Sequence, residues 1–254
     1  MSITPAERFS QTAAGYAATM APSLRPVAAE VVRRAGLTAG DRVLDLGTGT
    51  GNAAAMATAE GRTVIGVDAA PGMLEIARGQ VSDVEFVEMD FGALAFADAS
   101  FDVLISVHAL LFATDRGAVL REWVRVTRPE GRLSLSVPGP GEVTPSAIYG
   151  DVYDRCGIEY RGHYPTPESM AELAIDAGWA DVKADADPDT AIVLPDAGAF
   201  RVWREIGSRG AATADFTPEQ HRALTDEMLP LTPIDADGRL RIPFGTIYLA
   251  AVAP

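Results

Sequence analysis

The sequence is poor in cysteine, in lysine and in long apolar runs. Of its 254 residues one is a cysteine, Cys156, and one is a lysine, Lys183. A single cysteine excludes an internal disulfide and any zinc site built from several thiolates. No apolar run approaches the roughly 18 residues that span a bilayer, and the first residues lack the basic and apolar segments of a secretory signal. We therefore expect a cytoplasmic protein without a metal site.

Positive charge is also scarce. Lysine and arginine together number 21 against 35 aspartates and glutamates, which gives a formal net charge of −14. Such a field repels the phosphates of nucleic acids and anionic lipid surfaces, because both are bound through basic patches. The composition therefore disfavours a nucleic acid or a membrane as partner. With 48% hydrophobic residues, the chain can still bury a substantial core.

Short apolar segments alternate with helical patterns over the first half of the chain. Residues 5–20 and 22–36 have helical patterns, and Pro22 predicts a break between them. Five apolar segments of strand length follow, at 42–46, 63–67, 84–89, 101–106 and 132–137. Helical patterns separate most of these segments, so we expect a mainly parallel sheet with helices on both faces.

The pattern changes after Pro138. The turn-rich stretch GPGEVTP leads into a mostly helical region, with one strand expected within 180–194. Two more helical stretches, 196–208 and 217–229, follow, and the chain ends in an extended apolar strand over 242–252. The second half therefore contributes helices and two strands rather than further strand–helix alternation.

The stretch VLDLGTGTGNAA, residues 43–54, joins a strand to a helix through three glycines, Gly47, Gly49 and Gly51. A phosphate-binding loop of the P-loop type needs a lysine, and this stretch has none. The spacing Gly49-x-Gly51-x-x-Ala54 fits the permissive dinucleotide pattern, and a tight turn without any ligand is the other explanation. The loop alone leaves a dinucleotide and an adenosine-type cofactor open.

Three acids narrow this choice. Asp45 lies inside the first strand, where it can accept hydrogen bonds from the loop amides or meet a cationic amine. Asp68 ends the second strand, and a carboxylate there suits the two hydroxyls of a ribose in either cofactor. Asp90 ends the third strand beside Phe91, a pairing that suits the amine and the ring of adenine. A helix cap or a loop carboxylate is the alternative for Asp90.

Four stretches stand in consecutive order within residues 10–138: VLDLGTGTG, GVDAAPGMLEIAR, VEMDFGALAFADASFDVLISVHALLF and LREWVRVTRPEGRLSLSVP. As a set they resemble class I S-adenosylmethionine-dependent methyltransferases, in particular the ubiquinone/menaquinone C-methyltransferase-like group, methyltransferase type 11. The resemblance implies an α/β fold with a Rossmann-like doubly wound sheet of seven strands, the last antiparallel, and a helical substrate-covering region. It implies four parts: N-terminal helices of the lid (1–40), the cofactor-binding core (41–138), a variable region with a helical cap and the sixth strand (139–240), and the final antiparallel strand (241–254).

The same resemblance implies S-adenosylmethionine as cofactor, with S-adenosylhomocysteine as its product. The implied cofactor-binding residues come from an N-terminal helix and from the ends of the strands: Tyr16, Asp45, Gly47, Thr48, Gly49, Gly51, Asp68, Ala69, Met73, Asp90, Phe91 and Ser106. Asp68 is expected to hold the ribose, Asp90 and Phe91 to contact the adenine, and Ser106 to face the methionyl end. Tyr16 is expected to close over the cofactor, although a buried helix tyrosine explains it almost equally well.

Two histidines are candidates for contact with the methyl acceptor. A base is needed only when the acceptor is protonated or when a ring carbon loses a proton. His108 follows the fourth strand, and its ordinary pKa suits a base at neutral pH. The alternative is that His108 only packs or orients its loop. His163 lies in the variable region and is the second candidate for acceptor contact or for the base.

A small organic molecule is the acceptor class that remains, with O, N or C as the methylated atom. The tetrapeptide Asn/Asp-Pro-Pro-aromatic that such enzymes use on base amines is missing, and the residues from Ser106 to Ala109 read SVHA instead. Two other functions stay open. The dinucleotide pattern would suit an NAD(P)-dependent oxidoreductase, and the same site could belong to a protein that binds the methionine-derived nucleoside without catalysis. The expected assembly is a monomer or a homodimer.

Overall fold

The computed structural model describes residues 4–58, 61–140, 144–158, 164–206 and 212–254. Within these ranges the helices are α1 (Pro5–Gln11), α2 (Ala13–Arg34), α3 (Asn52–Ala57), α4 (Pro71–Gln80), α5 (Arg116–Val126), α6 (Pro145–Arg155), α7 (Pro167–Asp176), α8 (Ala197–Arg204) and α9 (Pro218–Met228). The strands are β1 (Arg42–Leu46), β2 (Thr63–Asp68), β3 (Glu85–Glu88), β4 (Phe101–Val107), β5 (Thr127–Pro138), β6 (Ala180–Asp187), β7 (Ala191–Leu194), β8 (Leu240–Pro243) and β9 (Thr246–Val252).

Seven strands form one sheet in the order β3-β2-β1-β4-β5-β9-β6. β1 pairs in parallel with β2 and β4, β2 with β3, and β4 with β5. β9 runs antiparallel to both of its neighbours, β5 and β6. The doubly wound α/β sheet with an antiparallel last strand is therefore confirmed. The strand order reverses between β1 and β4, and such a switch point opens a crevice at the carboxyl ends of the strands.

Buried side chains cover both faces of the sheet, as parallel strands require. Successive residues of β4 alternate between two apolar clusters, because strand side chains point to opposite faces in turn: Val103 and Ile105 belong to one cluster and Leu104 to the other. Helices α2 and α3 pack on the first face, and α5 and α7 pack on the second, where Trp123 is fully buried. The core thereby fixes where each strand ends at the crevice.

Helix α2 continues through Pro22 and Pro26, so the expected break at Pro22 is wrong. The chain instead breaks at Thr12, which ends α1 and precedes α2. A proline inside a helix costs about 3 kcal/mol. The buried face of α2 offsets this cost, since fully burying an aliphatic side chain such as Val31 contributes roughly 1.5–3 kcal/mol and several such residues face the core.

The strand expected within 180–194 is two strands, β6 and β7, separated by a turn. The strand expected over 242–252 is split in the same way into β8 and β9. β7 and β8 pair with each other in a second, two-stranded antiparallel sheet. Both segments therefore leave the large sheet at one place, and the two turns meet there: the N–H of Phe244 donates to the carbonyl of Thr190 at 3.0 Å.

Among the residues that the structure describes, no helix combines the length and the apolar character that crossing a membrane requires. Helix α2 has 22 residues, but four of them are charged: Arg25, Glu30, Arg33 and Arg34. The described residues also contain no group of three or more His, Cys, Asp or Glu side chains placed to hold a metal ion.

Candidate active site

A cavity of about 310 Å³ lies at the carboxyl ends of the strands, over the switch point between β1 and β4. Its wall combines the strand-end loops with α1, α2 and the start of α4. The lining residues are Thr4, Pro5, Ala6, Phe9, Tyr16, Met20, Leu24, Gly47, Gly49, Asp68, Ala69, Ala70, Met73, Asp90, Phe91, Val107, His108, Ala109, Leu111, Phe112, Pro138, Tyr164, Ile206 and Phe244. Residues from both ends of the described chain thus meet at one place.

The sequence-derived site residues divide into those that line the cavity and those that do not. The lining includes Tyr16, Gly47, Gly49, Asp68, Ala69, Met73, Asp90, Phe91 and His108. Four others, Asp45, Thr48, Gly51 and Ser106, are described by the structure and are not part of the lining. His163 lies outside the described residues.

The glycine turn after β1 has three left-handed residues with different surroundings. Gly47 has φ +70°, and a Cβ there would lie 2.3 Å from the Cβ of Ala109. Gly49 has φ +55°, and a Cβ there would find no atom within 4 Å, since the residue borders the cavity. A Cβ on Gly51 would meet the ring of Phe86 at 3.1 Å. The first and third glycines therefore allow close packing, and Gly49 keeps space free for a ligand.

Asp68 joins the end of β2 to the glycine turn. Its Oδ2 accepts the N–H of Gly49 at 2.8 Å, and its Oδ1 accepts the N–H of Ala70 at 2.9 Å. Burial raises the pKa of Asp68, and these two hydrogen bonds counteract the effect. Each carboxylate oxygen retains a lone pair for a ligand. The carboxylate is thus fixed in position and still able to bind two hydroxyl groups.

Asp45 supports the turn from behind. Its Oδ2 accepts hydrogen bonds from the hydroxyl of Thr48 at 2.6 Å and from the N–H of Ala54 at 3.0 Å. Its Oδ1 is buried and has no hydrogen-bond partner among the described residues. Burial is the largest effect on Asp45 and raises its pKa to about 7. Asp45 and Thr48 therefore hold the loop in shape.

Ser106 is fully buried near the switch point. Its hydroxyl donates to the carbonyl oxygen of Leu46 at 2.8 Å, which joins the ends of β4 and β1. The family resemblance implies that this side chain faces the methionyl end of a cofactor. In the structure the hydroxyl is engaged within the sheet, where it holds the two strands together at the mouth of the crevice.

Asp90 and Phe91 follow β3 and form the adjoining wall. Asp90 is exposed, and its Oδ1 accepts the N–H of Gly92 at 2.8 Å. The indole N–H of Trp123 donates to the carbonyl of Phe91 at 2.9 Å, and the two rings pack edge to face with centroids 6.3 Å apart. The loop is thus anchored to the core, with one carboxylate oxygen and one aromatic ring at the cavity.

Helix α1 covers the cavity and is attached to α4. The hydroxyl of Ser10 accepts the N–H of Gly72 at 2.7 Å, so α1 caps the first turn of α4. The ring of Phe9 packs edge to face on Phe112, at 5.0 Å, and on Tyr16, at 6.0 Å. Burial, together with the negative charge of Asp68, raises the pKa of Tyr16, so its hydroxyl keeps its proton at neutral pH.

His108 occupies an unusual backbone position immediately after β4, with φ +54°. Its side chain is 7% exposed and lines the cavity beside Phe244, whose ring centroid lies 5.4 Å away. Its Nε2 lies 3.3 Å from the hydroxyl of Thr246. Burial lowers the pKa of His108 to about 3, so the imidazole is neutral at physiological pH.

The apolar part of the cavity lining could not be identified from the sequence. Phe9, Met20, Phe112 and Phe244 are apolar residues in apolar surroundings, and in the sequence they are indistinguishable from core residues. One usable signal exists: Leu111 and Phe112 directly follow a parallel strand, at the end where such sheets bind ligands. No comparable local signal marks Phe9 or Phe244.

The chain matches the family model described as a methyltransferase domain over residues 44–135. An uncharacterized protein of Mycobacterium tuberculosis is 35% identical over 124 residues, and the match spans less than half of either chain, 47% of this one and 45% of the relative. The methyltransferase GfsG of Streptomyces halstedii is 32% identical over 197 residues, which are 72% of this chain and 69% of the relative.

A solved structure has the same fold over most of the chain. The phosphoethanolamine N-methyltransferase 2 of Haemonchus contortus, in complex with S-adenosylhomocysteine, superposes with a TM-score of 0.60 at 21% identity. The match covers 90% of this chain and 52% of that one. With the extent of the match to GfsG, these findings establish that the chain belongs to the class I S-adenosylmethionine-dependent methyltransferases.

Proposed function

We propose that this chain transfers a methyl group from S-adenosylmethionine to a small, uncharged, largely apolar organic acceptor. The observation that carries the proposal is the division of the cavity along the strand order. Asp90 and Gly49 follow β3 and β1, and Asp68 is the last residue of β2. His108 follows β4, and Pro138 is the last residue of β5. Polar groups therefore lie on one side of the switch point, and apolar groups with one imidazole lie on the other.

The first side, the cofactor half, consists of Gly47, Gly49, Asp68, Asp90 and Phe91. It fits the methionine-derived nucleoside because Gly49 leaves space where any other residue would place a side chain. The two carboxylate oxygens of Asp68 would hold the ribose hydroxyls. Asp90 would accept a hydrogen bond from the adenine amine, and the ring of Phe91 would pack against the base. These roles are the ones that the family resemblance implies.

The second side, the acceptor half, consists of His108, Phe112, Pro138, Phe244 and Phe9, which packs on Phe112. When bound, the cofactor supplies a methyl group on positive sulfur, so that the bond to the acceptor forms as the carbon–sulfur bond breaks and its electron pair stays on sulfur. The rings of the acceptor half exclude water and orient the acceptor for this displacement.

Charge argues for an uncharged acceptor. Among the described residues that line the cavity, the charged side chains are Asp68 and Asp90, and both belong to the cofactor half. His108 is neutral, because burial lowers its pKa to about 3. An ionic acceptor would lose its hydration in the acceptor half without gaining an oppositely charged partner among the described residues, which costs several kcal/mol. Flat apolar molecules instead gain contact with three phenylalanine rings.

The deciding experiment is a calorimetric titration with S-adenosylhomocysteine of the wild type and of Asp68→Ala. We expect micromolar binding to the wild type. Loss of the charged hydrogen-bonding group is expected to weaken binding roughly 10- to 100-fold. Asp83→Ala is the matched control, because Asp83 is an exposed carboxylate outside the lining. Absence of binding to the wild type would refute the proposal and call for an NADH titration.

A screen of acceptors then tests the second half of the proposal. Methyl transfer to a panel of uncharged aromatic compounds and to their carboxylate and ammonium analogues would be followed by mass spectrometry. Turnover is expected with uncharged members of the panel. A protein that uses only the charged analogues would contradict the acceptor class while leaving the cofactor assignment intact.

A further inference from the structure

We infer that helix α5 sets the selectivity of the cofactor half for adenine, because it holds the loop over residues 89–100 (the Asp90 loop), in which Asp90 and Phe91 line the cavity. Asp90 and Phe91 contact the base in the proposed function, on which this inference rests. Trp123 and Arg125 of α5 are then positioning residues, which act on the cofactor through the loop.

The Asp90 loop has little support of its own. It contains no helix or strand, and it follows β3, which has four residues and lies at the edge of the sheet. The pairing with β2 ends at Met89, whose N–H donates to the carbonyl of Asp68 at 3.0 Å. The N–H groups of Gly92 and Ala93 both donate to Asp90, and these bonds shape a turn without fixing it to the sheet. The position of Asp90 therefore depends on contacts with other elements.

Trp123 holds the residue next to Asp90. Its indole N–H donates to the carbonyl of Phe91 at 2.9 Å, and its ring packs against the ring of Phe91. Trp123 is fully buried and is not part of the cavity lining, so the core fixes the indole and the indole fixes Phe91. A side chain that does not reach the cavity thus sets both the main chain and the ring of one that does.

An ion pair on α5 holds the middle of the loop. Glu122 and Arg125 are three positions apart, so they are neighbours on one face of the helix. Nε and Nη2 of Arg125 donate to the two carboxylate oxygens of Glu122 at 2.8 and 2.7 Å, which is a bidentate geometry. The pair then binds both backbone groups of Leu94: Glu122 accepts its N–H at 2.9 Å, and Arg125 donates to its carbonyl at 3.0 Å. Leu94 is itself buried.

The remaining part of the loop is bound to the same helix. Nη1 of Arg125 donates to the carbonyl of Phe96 at 2.8 Å and to Oδ1 of Asp98 at 2.6 Å. The N–H of Ala99 donates to the backbone carbonyl of Arg125 at 2.9 Å. The hydrogen bonds from Arg125 lower the pKa of Glu122, so the pair stays ionised at neutral pH. A shift of the Asp90 loop would therefore break several bonds to a helix that is packed on the core.

Selection of the base requires a loop that is held. Adenine presents an amine, whereas hypoxanthine presents a carbonyl oxygen at the same place and an N–H group at the neighbouring ring nitrogen. A carboxylate only accepts hydrogen bonds, so Asp90 held opposite the amine favours adenine and repels the carbonyl oxygen. If the loop could move, the same carboxylate would shift to the ring N–H and tolerate both bases. Selectivity therefore depends on the support from α5 as well as on Asp90.

The first test measures the support without any ligand, by hydrogen exchange of the backbone amides followed by mass spectrometry. Arg125→Lys keeps the positive charge but lacks the planar fork, so it cannot bind Leu94 and Phe96 at once. We expect exchange in the Asp90 loop to become at least tenfold faster. Arg128→Lys is the matched control, because Arg128 forms an ion pair with Asp102 outside this loop. Unchanged exchange in Arg125→Lys would overturn the inference.

The second test measures selectivity by calorimetric titration with S-adenosylhomocysteine and with S-inosylhomocysteine, in which an oxygen replaces the adenine amine. We expect the wild type and Arg128→Lys to bind S-adenosylhomocysteine at least tenfold more tightly, and Arg125→Lys to keep a preference of threefold or less. A role confined to stability would weaken both ligands alike and leave this ratio unchanged.

Two further variants complete the titrations. In Asp90→Asn the side chain can also donate to the carbonyl oxygen of hypoxanthine, so we expect no preference, which marks complete loss. Trp123→Phe keeps a ring but removes the indole N–H, and we expect it to lose the preference as Arg125→Lys does. If Trp123→Phe does not fold, Arg125→Lys decides, because Arg125 lies on the partly exposed face of α5.

The outcomes separate the inference from the proposed function. A wild type without preference, or Asp90→Asn with the preference of the wild type, overturns the reading of the base by Asp90. A full preference in Arg125→Lys overturns the positioning role of α5. In each of these cases binding of S-adenosylhomocysteine still supports the proposed function, whereas failure of the wild type to bind it refutes that function.

Discussion

Over β1, β2 and β3 the wall of the cavity is a main-chain turn fixed by carboxylates, whereas over β4, β5 and β9 it consists of side chains from distant parts of the chain. In the cofactor half, Asp68 binds the N–H groups of Gly49 and Ala70, so the wall keeps its shape through hydrogen bonds. In the acceptor half, Phe9 and Phe112 meet only by ring packing. We therefore expect substitutions in the proposed acceptor half to leave the hydrogen bonds of the cofactor half in place.

The largest expected effect comes from adding one methyl group to the glycine turn. In Gly47→Ala the new Cβ would approach Ala109 within 2.3 Å, and the residue would keep a positive φ. Left-handed strain costs about 1–2 kcal/mol, and overpacking costs about 1–3 kcal/mol more. We expect the free energy of unfolding in urea to fall by about 2–5 kcal/mol, the sum of those two ranges.

Gly49→Ala is the matched comparison, because Gly49 also has a positive φ but has free space beside it. We expect the free energy of unfolding to fall only by the cost of the left-handed backbone, about 1–2 kcal/mol. We also expect at least tenfold weaker binding of S-adenosylhomocysteine. If Gly47→Ala and Gly49→Ala lose the same stability, the packing role assigned to Gly47 is wrong.

A fall in pH should affect the stability contributions of His108 and Asp45 in opposite directions. The pKa of His108 is about 3 in the folded protein and near 6.5 when unfolded, so the unfolded chain binds more protons below pH 6.5 and stability is lost as the pH falls. The pKa of Asp45 is raised to about 7, so its contribution is largest below its unfolded value and is lost as the pH rises through 7. Between pH 7 and 5 each change amounts to about 2 kcal/mol, and they oppose each other.

Single variants expose this compensation. In Asp45→Asn the opposing contribution of Asp45 is removed, and only the destabilisation that arises at His108 remains. The free energy of unfolding should therefore fall by about 2 kcal/mol more between pH 7 and pH 5 than it does in the wild type. In His108→Gln the contribution of Asp45 remains instead, so the free energy of unfolding at pH 5 should rise relative to its value at pH 7, compared with the wild type. Unfolding in urea at both pH values measures the differences. The same pH dependence of stability in all three proteins would show that the pKa values of Asp45 and His108 are not shifted in the folded state as described.

The smallest expected effect concerns one ring of the acceptor half. Phe9→Ala removes the contacts with Phe112 and Tyr16, and we expect kcat/KM for the acceptor to fall roughly tenfold. The Kd of S-adenosylhomocysteine should stay within about twofold of the wild type. Phe216→Ala, at a partly buried ring outside the lining, is the control. An equal loss of cofactor affinity in Phe9→Ala would contradict the separation of the two halves.

The same comparison explains which parts of the site could be predicted from the sequence. Asp68 and Gly49 stand directly at strand ends, where local pattern and strand order suffice to place them. The sequence could not show which glycine of the turn leaves space for a ligand and which allows close packing, because Gly49 and Gly51 differ only in the atoms that lie beside them. Phe244 reaches the cavity only because β8 and β9 belong to different sheets, and a long-range pairing of that kind leaves no local pattern.

The fold was predictable for a related reason. Alternating strands and helices specify a doubly wound sheet, and the sheet is mainly parallel, as expected. The break expected at Pro22 failed because burial of α2 against the sheet outweighs the local cost of proline, and local propensity does not include that burial. Sequence patterns were thus reliable where neighbours in the chain decide the structure and unreliable where tertiary packing decides it.

The hydrogen bond between Ser10 and Gly72 joins α1 to α4, two helices that both line the cavity. The hydroxyl that holds α1 in place is the same group that satisfies the N–H of Gly72, and Met73 in the next position lines the cavity. A displacement of α1 would therefore move Phe9 away from the cavity. It would also break the hydrogen bond at the first turn of α4, the helix that carries Met73. The positions of Phe9 and Met73 therefore depend on the same hydrogen bond.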